Sequence, residues 1–177
     1  AASVFSILRM KRLNLKAGIA PLLEMESGSN DPTAYMLTII ILTLLSSGKT
    51  NIYTLIFSQI IFGIISGVVI GLLAKNYLDK IQLNEVGLKS IFVAALALLA
   101  YALPVALNGN GFLSVYLFGI ILGNSRLKKK VSLVHFFDSI SHMMQILLFF
   151  LLGLLSFPSQ IPDIIGSAIL ITLFLTF

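Results

Sequence analysis

Apolar positions in this chain come in long blocks, interrupted by short stretches of polar and basic residues. At about 1.5 Å of helix rise per residue, a block of about 20 residues matches a hydrocarbon core ~30 Å thick. The polar/apolar alternation of a transmembrane barrel strand is not sustained anywhere. The pattern therefore predicts an all-α polytopic membrane protein with complete spans over residues 21–45, 52–74, 88–107, 112–123 and 133–157. The block at 112–123 covers only about 18 Å, so it needs a polar extension or forms a half-helix. Residues 1–8 read as the back half of a severed helix, and 164–177, about 21 Å long, as a span left inside the membrane. Five complete and two truncated helices are thus expected, in one domain over 1–177 that is cut at both ends. Turns are expected at 46–51, 108–111 and 158–163, with a polar connection at 75–89. Gly63, Gly67 and Gly71, at every fourth position, make a smooth face where another helix can pack closely.

Composition agrees with lipid as the solvent. Hydrophobic residues fill 58% of the 177 positions and charged ones 11%, about half the charged share of a soluble domain. A water-soluble fold of this length cannot hide that much apolar surface. The net charge of +5 sits in clusters between apolar blocks, which argues for an orientation signal and against a nucleic-acid partner. With the Arg9 to Lys16 loop cytoplasmic, strict alternation puts 11 of the 12 basic residues on that side, the Arg126 to Lys130 loop included. Only Lys49 falls outside, and the count requires 112–123 to cross fully. Cysteine is absent, so disulfides, thiol chemistry and cysteine-ligated metals drop out, and no cofactor is expected.

Candidate chemistry gathers in one span. Asp31 lies ten residues past Pro21, about 15 Å into the membrane, where an ionisable side chain is costly and by default functional. Ser27 shares its helix face at i−4, as Glu26 does with Asn30. Pro32 has no amide proton, so the Gly28 carbonyl loses its helical donor, and Gly28 and Ser29 are expected to loosen the helix further. Non-helical backbone is tolerated in a membrane where it lines protein or a wet cavity, and transporters hold ions with it. Carboxylate, hydroxyl, amide and carbonyl oxygens are hard ligands that suit Na⁺, K⁺ or Li⁺. A carboxylate that takes up a proton releases the cation it holds, so the two compete at Asp31, which suffices for antiport. The plainer alternative is that Glu24, Glu26 and Asp31 pair with basic residues elsewhere in the bundle, although no Lys or Arg lies deep in any span.

The stretch LEMESGSNDPTAYMLT (Leu23 to Thr38) resembles the Asn-Asp helix of the cation:proton antiporter superfamily, most closely its bacterial potassium/proton branch. AASVFSILR (Ala1 to Arg9), FGIILGNSRL (Phe118 to Leu127) and QILLFFLLGLLSFPSQ (Gln145 to Gln160) resemble the same family in order and spacing. The resemblance implies a bacterial inner-membrane homodimer built on inverted repeats with crossing broken helices, and alternating access by a core domain moving against a dimer domain. It implies that Asp31 carries the exchanged cation (K⁺ or Na⁺) or proton, that Ser27 adds a ligand oxygen, and that Asn30 holds the position typical of electroneutral exchangers. It also places Glu26 in a buried ion pair. The family's Thr-Asp pair would directly precede Ala1, and the arginine partner of Glu26 would follow Phe177, so the chain alone is not expected to transport.

His135, Asp138, His142 and Gln145 recur at spacings of 3, 4 and 3 and form one polar stripe. A zinc site or a pH sensor is conceivable there, but a buried polar seam, or the wet cytoplasmic end of the helix, accounts for it more simply. Three other functions compete with antiport. A cation-selective channel would rest on a symmetric ring of ligands, an intramembrane aspartyl hydrolase would need a second carboxylate sharing the proton, and a non-transporting membrane subunit would leave the cost of Asp31 without a purpose. The expectation is therefore a secondary transporter and no enzyme.

Overall fold

The computed structural model describes residues 19–47, 51–80, 86–125, 127, 130–156 and 161–176. Regular structure among them is helical throughout: α1 (Ile19–Ser47), α2 (Ile52–Lys80), α3 (Val86–Ala106), α4 (Gly111–Gly123), α5 (Lys130–Leu155) and α6 (Ile161–Thr176). The 1–8 run, the Arg9 to Lys16 loop, and Arg126, Lys128 and Lys129 of the second basic cluster lie outside the described residues. Among the described residues, three helices are long and apolar enough to cross a membrane, within Ile52–Leu78, Gly87–Ala106 and Lys130–Leu155, and α4 is a shorter apolar helix. At 29 residues α1 has the length to span but carries the polar turn at its centre.

Expected boundaries are corrected here. Residues 75–80 and 86–89 are not part of a polar connection but extend α2 and open α3, Ser46 and Ser47 close α1 where a turn was expected, and residues 161–163 form the first turn of α6. A helix satisfies its own backbone groups, and long Lys side chains reach water from the last turn, so polar composition alone does not end it.

Chain contacts divide the molecule into two compact units, Ala1–Lys130 and Val131–Phe177. In the first, α4 is the hub and packs on α1, α2 and α3. Its buried residues Gly111, Ser114, Phe118 and Leu122 follow helical spacing. The glycine ladder of α2 meets it as expected: a Cβ at Gly63 would lie 2.9 Å from the Asn110 carbonyl oxygen, at Gly67 2.5 Å from that of Ser114, and at Gly71 2.8 Å from Ile121 Cδ1. Contacts that advance together along both helices mean that α2 and α4 run parallel, with α3 returning between them. The core is small, with Ile70, Ala74, Leu78, Val93 and Ala100 among its members, while large apolar side chains such as Phe57, Leu73 and Leu98 stay exposed. Apolar exposure on this scale does not suit a water-facing surface. In the second unit, α5 has no buried residue.

The turn joining α3 to α4 is tight. Gly109 N–H donates to the Pro104 carbonyl at 2.7 Å and Leu107 N–H to the same oxygen at 2.9 Å, while Asn108 adopts a left-handed φ of 58°. Such a helix end favours Gly or Asn. Asn108→Val should therefore lower stability by about 1–2 kcal/mol, and Asn108→Gly should leave it nearly unchanged, read as thermal unfolding midpoints of the purified protein. The far end of α4 is closed by donors to its last carbonyls: Asn124 Nδ2 to Ile120 O at 2.9 Å, Ser125 Oγ to Leu122 O at 2.6 Å, and Lys130 Nζ to Gly123 O.

Candidate functional site

The polar turn of α1 is tied together by its own hydroxyls. Ser29 Oγ donates to the Glu26 carbonyl at 2.9 Å and Thr33 Oγ1 to the Ser29 carbonyl at 3.1 Å. The expected opening of the backbone is not seen, because α1 remains helical from Ile19 to Ser47 with Pro32 inside it. Proline removes one donor, which leaves the Gly28 carbonyl without its i+4 N–H, but a single missing bond is compatible with a continuous membrane helix.

One ridge of α1 docks on α4. A Cβ on Gly28 would lie 3.1 Å from Tyr116 Cε2, Pro32 is buried, and the Tyr35 ring packs on Phe112 at 4.9 Å between centroids. Phe112 in turn meets Tyr101 of α3 edge-on at 5.4 Å. At about 100° per residue, Asp31 and Ser27 border this ridge, whereas Glu26 and Asn30 point about 160° away from Gly28. Glu26, Asn30 and Asp31 are exposed, and Ser27 and Gly28 half-buried. The four polar residues thus fall on two helix faces, and the described residues do not enclose them in a cavity. The side chain of Glu24 lies outside what the structure describes.

Asn110 was not singled out from the sequence. It is 1% exposed and joins three helices. Its Oδ1 accepts from Leu113 N–H at 3.1 Å and caps α4, its backbone N–H donates to the Gln59 carbonyl of α2 at 3.1 Å, and its Nδ2 donates to the Pro32 carbonyl of α1 at 2.8 Å. Ser58 Oγ adds a bond to the Asn108 carbonyl at 2.8 Å. Ser58 is six residues past Ile52, so the α3–α4 turn sits about 10 Å inside the start of α2, beside the middle of α1. Gln59 Oε1 and Ser114 Oγ are also buried near this turn, with no hydrogen-bond partner among the described residues. The sequence carries two unused signals for this cluster: an Asn at the head of an apolar run is a helix-cap pattern, and Gln59 is the lone side-chain amide in the apolar stretch 52–74.

On α5, His142 Nδ1 lies 2.7 Å from the Asp138 carbonyl oxygen and Ser139 Oγ donates to that of His135 at 2.9 Å. His135 and His142 are exposed, Asp138 and Gln145 half-buried. Among the described residues no three His, Cys, Asp or Glu side chains come close enough to hold a metal ion.

Comparison with known proteins places the chain. The family model described as "Sodium/hydrogen exchanger, transmembrane" matches residues 1–177. The K(+)/H(+) antiporter NhaP of Alkalimonas amylolytica is 36% identical over 166 residues, covering 92% of this chain and 29% of that protein. The K(+)/H(+) antiporter NhaP2 of Shewanella baltica is 37% identical over 171 residues, covering 93% and 29%. The probable Na(+)/H(+) antiporter 2 of Methanocaldococcus jannaschii is 29% identical over 153 residues, covering 80% and 36%. The chain therefore spans under a third of the length of the NhaP-type relatives it matches. No solved structure matches. With a family model matched from the first residue to the last, on helices of membrane-spanning length and composition, the chain belongs to the sodium/hydrogen exchanger transmembrane family, within the cation:proton antiporter superfamily and its NhaP branch.

Proposed function

We propose that the full-length protein containing this chain is a secondary antiporter that exchanges a monovalent cation, K⁺ or Na⁺, for protons, with both competing at Asp31. One observation carries the reading: a titratable carboxylate stands exposed on the central turn of a 29-residue helix, next to a carbonyl that Pro32 has deprived of its donor. Ser27, on the same face, and the Gly28 carbonyl supply oxygens to the cation, and Asn30, about 100° round the helix from Asp31, adds its amide from the adjacent face. Glu26 and Asn30 face away from α4, which suits a Glu26 ion pair made with chain beyond these residues. Relatives named as K(+)/H(+) antiporters support the same reading.

The chemistry requires no covalent step. With the site open to one side, cation displaces the proton from Asp31, and with it open to the other, a proton displaces the cation. Exchange is obligatory when only the loaded carboxylate changes sides, since an empty buried charge is costly to move. Within this proposal the protein is a homodimer of inverted-repeat architecture in the bacterial inner membrane. The Arg9 to Lys16 and Arg126 to Lys130 loops are cytoplasmic, the chain makes five complete and two partial crossings, and the His135, Asp138, His142 and Gln145 stripe is a polar seam.

Everted vesicles carrying the full-length protein test the function. Addition of K⁺ or Na⁺ should dissipate a preformed pH gradient, with saturation in cation, and the comparison of Na⁺, K⁺ and Li⁺ should rank the ions. Cation current that persists without any coupled proton movement would replace the antiporter by a channel.

A further inference from the structure

We propose that Asn110 is a positioning residue for the exchange at Asp31, holding the Asp31 turn of α1 in its ion-binding arrangement through the hydrogen bond to the Pro32 carbonyl. The inference rests on the antiport reading above and concerns a residue 78 positions beyond Pro32 in sequence.

The capping role of Asn110 accounts for half of its side chain. Oδ1 serves Leu113 N–H, and a helix cap needs only such an acceptor, which Ser, Thr or Asp provides as well. The Nδ2 group is not used by the cap, and a chain that needed only a cap would avoid burying it. Here it is spent on Pro32, whose carbonyl already has a place in the α1 ladder and can take a second donor on its other lone pair. The bond is thus not required to satisfy Pro32. What it adds is geometry.

Gly28 under Tyr116 and Pro32 under Asn110 lie at i and i+4 on one ridge. A rotation of α1 by one residue, about 100°, breaks both contacts. Asp31 lies between them along the helix axis and about 60° round it from Gly28, so the direction of its carboxylate, and its relation to the Ser27 hydroxyl and the Gly28 carbonyl, follow from where the ridge is held. A cation bound by several oxygens is sensitive to such placement, because each ligand must reach it at once.

The experiment uses the full-length protein in vesicles, with cation-driven dissipation of a pH gradient as the readout, and compares wild type, N110S, N110A and D31N. Serine keeps an acceptor for Leu113 N–H but is too short to reach Pro32, while alanine loses both bonds. The expected result is that N110S and N110A both raise the KM for the cation about five- to tenfold, the change that loss of one hydrogen bond supports. The pH profile shifts as well, whereas the maximal rate of N110S stays near wild type and its thermal midpoint exceeds that of N110A. If N110S matches wild type in KM and pH profile while N110A is impaired, Asn110 is a cap alone and the proposal falls. Should N110S fail to accumulate, N110T takes its place, since its hydroxyl also accepts from Leu113 N–H and is likewise too short to reach Pro32. Failure of both to accumulate makes the residue structural and overturns the proposal. D31N separates the two levels: exchange that survives it removes Asp31 and Asn110 together, whereas a dead D31N beside an unaffected N110S removes Asn110 only.

Discussion

Asp31→Asn should abolish cation-driven proton movement while leaving the folded protein intact. The amide has nearly the same size and shape, but it neither takes up a proton at any accessible pH nor carries the negative charge that holds a monovalent cation. Both halves of the exchange are lost in one substitution, so the vesicle signal should fall to that of vesicles without the protein. Because the amide has the shape of the carboxylate and removes a charge that is costly at this depth, the replacement is not expected to destabilise the fold. The thermal midpoint then distinguishes a functional loss from misfolding. Asp31→Glu sharpens the test: the charge is kept but displaced by a methylene, so partial exchange with a raised cation KM is expected. Exchange by Asp31→Asn above background would transfer the role to another carboxylate, with Glu26 next in line.

The second large effect is predicted at Gly67. A Cβ there would lie 2.5 Å from the Ser114 carbonyl oxygen and 2.9 Å from Ser114 Cα. Both atoms belong to the backbone of α4, so no rotamer change relieves the clash and the helices must separate. Overpacking of this kind costs about 1–3 kcal/mol, and Gly67→Leu should exceed Gly67→Ala because more atoms must be accommodated. The cost spreads to the site, since α4 carries Asn110 and Tyr116, the residues that hold the Asp31 turn. Gly67→Ala is therefore expected to lower both the thermal midpoint and the exchange rate. Gly119→Ala provides the control: a Cβ at Gly119 meets nothing within 4 Å, and alanine is the better helix former by about 1 kcal/mol. Equal midpoints for Gly67→Ala and Gly119→Ala would mean that the close approach of α2 and α4 contributes nothing to stability.

Part of the fold is legible in the sequence. Blocks of about 20 apolar residues leave helices as the only spans without unsatisfied backbone groups, and the start of α2 and both ends of α3 and α5 follow from them to within a turn. The ladder Gly63, Gly67 and Gly71 announced a close helix contact, though not its partner, which proved to be α4. The ESGSNDP turn identified the family and the candidate exchange residue because its chemistry is local: the oxygens lie within two helical turns of one another.

Tertiary structure decided the rest. Pro32 by itself suggests an opened helix, yet α1 runs through it: the cost is one lost donor, and packing against α4 holds the turn in place. The polar residues 75–80 suggest a loop, yet they continue α2, since the backbone gains its hydrogen bonds by staying helical. Asn110, in a turn that the local pattern marks only as a turn, reaches the carbonyl beside Asp31 because small residues on α2 let α4 sink between the longer helices. Sequence by itself thus determined that the chain folds into apolar helices of membrane-spanning length and which of them carries the candidate carboxylate, all properties of short-range periodicity and composition. Which buried polar atom meets which carbonyl was left to the packing, because contacts between residues far apart in the chain depend on how closely the helices approach, and no local pattern records that distance.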